Sequence, residues 1–169
     1  RLDDITKFAG MSNATFYNHF KDKDDLVSAV ATSIALELVL AADEQTVDIK
    51  DQAIRLVVST NAVMRTALQH ERWSYVLATA FFLVPEGLID VGGYLKNNID
   101  SGIAQGVFNT RCDEFQLNQL ASVFISGLRE LRKDNLSIID RTSENLLRLL
   151  GVSPAKASSI LDEAKVFYH

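Results

Sequence analysis

The chain has 169 residues, 47% of them hydrophobic, enough to bury a sizeable core as one domain or two small ones. Its 17 basic and 22 acidic side chains leave a net charge of −5, which excludes a general nucleic-acid coat: any DNA contact needs cations placed locally. The single cysteine, Cys112, excludes an internal disulfide and suits a reducing, cytoplasmic setting. No signal peptide is visible. The longest strongly apolar stretch, 75–84, would span only about 15 Å as a helix, short of a bilayer of about 30 Å, so no membrane partner is expected. Arg1 is not a start methionine and helical patterning begins at once, so the sequence reads as lacking its true beginning.

Apolar residues recur mostly at helical period, with only Pro85 and Pro154 as prolines. Residues 2–9 form a short predicted helix with Asp3 and Asp4 in its first turn and Gly10 as its stop. Ser12 caps a second over 13–20, and Asp22 a third over 23–42. A polar stretch, 43–48, follows, and Asp48 with Asp51 marks the start of a helix reaching Gln69. A very apolar helix over 71–84 is stopped by Pro85. The next, 86–105, is expected to kink or start late at Gly92–Gly93 and to close at Gly106. Asp113 and Gln116 read as the capping pair of a helix reaching Lys133. Another covers 138–150 and stops at Gly151. Ser153 and Pro154 open the last, which runs to Phe167.

The informative segment is Leu2 to Leu26. Ile5 and Ala9 share one helix face, and Phe16 and Phe20 share the next. Between them Gly10 supplies the left-handed backbone of a tight turn, Met11 an apolar plug and Ser12 a cap. Two short helices crossed in this way make a helix-turn-helix. Its second helix presents Asn13, Ala14, Thr15, Tyr17, Asn18 and His19 outward. Asn can pair bidentately with adenine, an Ala methyl can meet a thymine methyl, and hydroxyls with Lys23 can hold phosphates. Ile5, Ala9-Gly10, Ser12, Thr15, Phe16, Tyr17, His19, Phe20, Lys23 and Leu26 stand in one register that resembles the TetR (tetracycline repressor) family. Thr6 and Met11 depart from it, where the family prefers Ala and Val. A weaker echo lies at Gly102, Gly106-Val107-Phe108 and Asp113. The resemblance implies a further helix before position 2, absent here. Residues 1–26 carry four basic and five acidic side chains, so the segment without that helix is expected to bind DNA poorly.

Two apolar stripes near the C-terminus are expected to build a homodimer through a four-helix bundle: Leu117, Leu120, Ala121, Phe124, Leu128 and Leu131, with Gly127 allowing close approach, and Ile139, Thr142, Leu146, Leu149 and Leu150. The alternative is that both stripes pack inside one subunit. A ligand pocket is expected between the helices at 50–69, 71–84 and 86–105. Val57, Asn61, Met64 and Leu68 share one wall, Trp73, Leu77 and Phe81 the second, and Tyr94 and Asn98 add polar groups from the third. Few polar groups in an apolar cavity suit a neutral, apolar or aromatic effector. Alternatively, Asn61 bonds a backbone carbonyl and the aromatics, Phe82 included, simply fill the core. His70 beside Glu71 lacks partners at metal-ligand spacing, and Cys112 has no resolving cysteine, so no metal or cofactor is expected. Glu71, Glu86 and Asp90 come without any nucleophile motif, so no enzyme is expected.

These features describe an all-α protein with a small N-terminal helix-turn-helix DNA-binding domain over 1–42, its first helix missing and its connecting helix included. A larger helical ligand-binding and dimerisation domain follows over 43–169. The function this implies is transcription regulation at a palindromic double-stranded operator, with repression relieved by a small effector; repression over activation follows from the family resemblance alone. Two rivals stay open: a regulator with a purely structural dimer domain, and a helical small-molecule-binding or adaptor protein that no longer binds DNA.

Overall fold

The computed structural model describes residues 1–70, 72–83 and 89–168, with side chains except over 80–92. The described residues are all-α: α1 (Leu2–Phe8), α2 (Asn13–Tyr17), α3 (Lys23–Thr46), α4 (Gln52–Gln69), α5 (Trp73–Leu83), α6 (Ile89–Ala104), α7 (Glu114–Glu130), α8 (Ser137–Leu149) and α9 (Pro154–Ala164), followed by a short 3-10 helix, Lys165–Phe167. α1 and α2 pack on each other. α4 is the hub of the rest, touching α3, α6, α8 and α9, while α7 lies against α5 and α8.

The helix ends follow local chemistry. Asp22, in extended backbone, accepts from Asp25 N at 2.9 Å and starts α3. That helix does not stop at 42. Asp43 to Thr46 stay helical because none of them breaks a helix, Thr46 Oγ1 donates back to Ala42 O at 2.8 Å, and Asp43 pairs with Arg55 of α4. By length and mean hydropathy, 1.8, α3 matches a membrane span, yet it carries Asp22 at its cap and lays Ala31, Ala35, Leu38 and Ala42 into the protein. Asp51, not Asp48, caps α4, accepting from Ala53 N at 2.8 Å and Ile54 N at 3.1 Å. α6 passes Gly92–Gly93 unbroken, since its packing on α3 and α4 outweighs the weak helix propensity of glycine. Asp113 accepts from Gln116 N at 2.9 Å, but the Gln116 amide does not return to close a capping box. It crosses to α8 and donates to Leu149 O at 2.7 Å. Pro85, Glu71 and Glu86 lie outside the described residues, as do the side chains of Phe81, Phe82 and Asp90.

Two apolar clusters hold these helices. One joins the first half of α4 to α6, α8 and α9 through Val57, Ile99, Leu147, Leu150 and Ala157. The other joins α3, the second half of α4, α5 and α7 through Leu38, Met64, Leu77 and Leu128, with Ile139 of α8. Phe124 packs against both. The stripes expected at a dimer face largely supply these clusters: Leu120, Leu128, Leu131, Leu146 and Leu150 are fully buried within one chain, with Leu117, Ala121, Phe124 and Leu149 half-buried. Gly127 does permit a close approach, but to Thr142 of the same chain. A Cβ there would lie 2.2 Å from Thr142 Oγ1. An amphipathic stripe does not say which helix it meets, and here it meets its own subunit first. An aspartate at 124 is therefore a substitution inside the subunit's packing.

Candidate nucleic-acid interface and ligand cavity

The head is built around Phe16, only 1% exposed, whose ring centroid lies 5.4 Å from those of both Tyr17 and Phe20. Gly10 turns the chain at φ +65°, a conformation that favours glycine. Ser12 Oγ accepts from Thr15 N at 3.0 Å and sets the start of α2. α2 is shorter than its pattern suggests, five residues, so Asn18 and His19 sit on the hydrogen-bonded turn that follows. Asn13, Ala14, Thr15, Tyr17, Asn18, His19 and Lys23 are all exposed, Tyr17 by 59%. Lys23 stands at the first position of α3, with no ion pair among the described residues.

Not all of these side chains are free to read bases. Thr6, buried at the departure from the family pattern, donates to Asn13 Oδ1 at 2.8 Å, and Asn13 Nδ2 donates to Asp3 Oδ1 at 2.9 Å. The Asn13 amide thus clamps α1 to α2. Thr15 Oγ1 shares a hydrogen bond with Ser12 Oγ at 2.9 Å. Tyr17, Asn18, His19 and Lys23 are exposed and make no side-chain hydrogen bond among the described residues. Ile5, expected in the crossing, is 37% exposed, and Thr6 takes the buried place one position along.

In the body, the stripe Val57, Asn61, Met64 and Leu68 divides. Val57 and Met64 are wholly buried in the two clusters, and Leu68 is half-buried. Asn61 is 5% exposed and lines a cavity of about 300 Å³, whose other walls are α8 and the C-terminal turn rather than α5 and α6. Its Oδ1 accepts from Arg65 Nε at 2.8 Å, not from a backbone group. Leu77 packs in the core, Trp73 stacks on His70 at 3.8 Å, Tyr94 is exposed and Asn98 is half-buried, so none of these joins Asn61 at that cavity. A larger groove of about 1120 Å³ runs between α4, α5 and the end of α7. Ala67, Leu68, Ala78 and Leu128 line it, with Arg129 and Lys133 among its polar residues.

Residues 1–30 match the model of the bacterial regulatory proteins, tetR family. By this match, the head is a tetR-type helix-turn-helix. Two solved structures share its fold. RolR without ligand is 23% identical, covers 96% of this chain and 85% of its own, and has a TM-score of 0.74. RolR in complex with resorcinol is 22% identical, covers 95% and 82%, and has a TM-score of 0.76. No curated protein matches the chain in sequence. Beyond the matched head, the likeness to RolR is one of fold and runs through to α9.

Three groups of this chain escaped sequence reasoning. Thr6 had a signal: a hydroxyl in a buried, alanine-preferring position needs an acceptor. Arg65 stands four residues after Asn61, a spacing that brings two side chains together on a helix. Tyr168 had none, because only the fold carries the C-terminal turn to α4.

Proposed function

We propose that this chain is a ligand-responsive transcription regulator. It acts as a homodimer in the cytoplasm, represses from a palindromic operator and is released by a small effector. The observation carrying this reading is the exposed set Tyr17, Asn18, His19 and Lys23 on a turn fixed from beneath by Phe16. Base-edge contact falls to Asn18, and phosphate contact to Tyr17 and to Lys23, which opens α3 where the backbone amides add to its pull. The division into a reading domain over 1–42 and a sensing domain over 43–169 follows function, since α3 itself crosses it. That helix begins at the head and ends tied to α4 by the Asp43–Arg55 pair. A ligand that moves α4 would move α3 and with it the spacing of two heads, which operator half-sites about 34 Å apart hold to narrow limits. That RolR, of the same fold, is solved with resorcinol supports a small-molecule effector here.

The test is duplex binding by the full-length protein across a salt series. Lys23→Ala should weaken binding to every sequence and reduce the slope of log affinity against log salt by about one. Asn18→Ala should change which sequence is preferred. Absence of any salt-sensitive duplex binding would overturn the reading.

A further inference from the structure

The Asn61 cavity holds more polar chemistry than packing requires. Tyr168 Oη is buried there without a hydrogen-bond partner. The Asn61 amide is close enough to act on it, as are the charges of Asp140, Lys165 and Arg65, yet none of them bonds it at ordinary geometry. Asn61 Oδ1 is taken by Arg65 Nε, which leaves Asn61 Nδ2 as a donor inside a nearly closed position. Burial pushes the Tyr168 hydroxyl up from its usual range, so it stays protonated and able to donate. A buried hydroxyl facing open space without a partner costs stability unless something accepts from it. The start of α8 borders the same cavity at Leu136 and Ser137, and no side chain caps it.

The charges choose the class of occupant. Lys165 is already taken, donating to Asp162 at 2.7 Å, so Arg65, in no ion pair among the described residues, is the cation open to an anion, and Asp140 the acceptor open to a hydroxyl. Ile139 and Leu136 give it an apolar side. A volume of about 300 Å³ is at the low end for ligand sites and admits a single ring or a short chain. We propose that the cavity between α4, the start of α8 and the C-terminal turn binds a small hydroxylated organic carboxylate. The ligand carboxylate faces Arg65 and accepts from Tyr168 Oη. Its hydroxyl donates to Asp140, and its hydrocarbon part lies on Ile139. This narrows the effector class from the neutral ligand that the α4 stripe suggests to an anionic one. It rests on the proposed regulatory role only for its consequence at DNA.

The test is calorimetric titration of the whole chain with para-hydroxybenzoate, and with para-hydroxybenzamide as the same shape without charge. Para-hydroxybenzoate should bind at least tenfold more tightly than the amide. Tyr168→Phe, which removes one oxygen, should weaken binding about fivefold, and the exposed Arg65→Gln about tenfold or more, on the usual worth of neutral and charged hydrogen bonds. Tyr168→Phe should unfold at the wild-type temperature, and Arg65→Gln, which gives up the bond to Asn61 Oδ1, within several degrees of it. No heat of binding with millimolar para-hydroxybenzoate overturns the proposal, since the cavity is then merely wet. Equal affinity for the amide, or binding untouched by both substitutions, overturns it as well. DNA affinity read in parallel separates the two claims: binding that depends on Tyr168 and Arg65 but leaves DNA affinity unchanged supports the pocket and removes its regulatory role.

Discussion

Phe16→Ala is expected to abolish DNA binding while leaving the rest of the protein folded. Phe16 is the only fully buried apolar side chain among the first 30 residues, and it joins α2 to the chain leading into α3. Removing a buried Phe ring costs about 3–5 kcal/mol, including the cavity left behind. The head has little else to offset such a loss: α1 and α2 are seven and five residues long, and their remaining ties are the Thr6–Asn13–Asp3 clamp and the Ser12 cap. The two apolar clusters of the body include no residue before Ile34, so they lose no contact. Anisotropy should show duplex affinity reduced more than a hundredfold, with the melting of the helical body within a few degrees of wild type. An affinity within threefold of wild type would show that the reading face does not depend on the packing beneath it.

Leu128→Ala should destabilise the subunit itself. Leu128 is fully buried where α3, α4, α5 and α7 meet, beside Leu38, Met64, Leu77 and Ile125. A Leu→Ala change in such a position costs about 2–5 kcal/mol, or a fall in melting temperature of about 4–20 °C at this chain length. Thermal unfolding at several protein concentrations separates this from an interface role. Subunit packing predicts a loss that does not depend on concentration. A change in association state with the monomer's stability intact would return Leu128 to a dimer face.

Helix order and the head were legible because their signals are local. Ser12, Asp22, Asp113 and Ser153 each cap the helix their position announces, and Gly10, Gly106 and Gly151 all take positive φ. Boundaries slipped where two local signals competed, as at Asp48 and Asp51, or where tertiary packing outweighed propensity, as at Gly92–Gly93. Pairing between helices was not legible. A stripe such as Leu120–Leu128 is equally fit for a subunit core or a partner, because periodicity records only that a face is buried. Asn61 shows both sides of this. An amide among apolar residues does line a cavity, but not the one expected between α4, α5 and α6: its facing walls include Asp140 and Tyr168, about 80 and 107 positions away in sequence, and no local rule brings them to α4.

The most direct measurement is selection of bound duplexes from a random DNA pool by the full-length protein, repeated with Asn18→Ala. The account predicts enrichment of a two-fold palindrome whose half-sites are about one helical turn, or a multiple of it, apart. The enriched sequence should change at the positions facing Asn18 when that residue is replaced. A pool that remains random after repeated rounds, with binding detectable only at low salt, would contradict it.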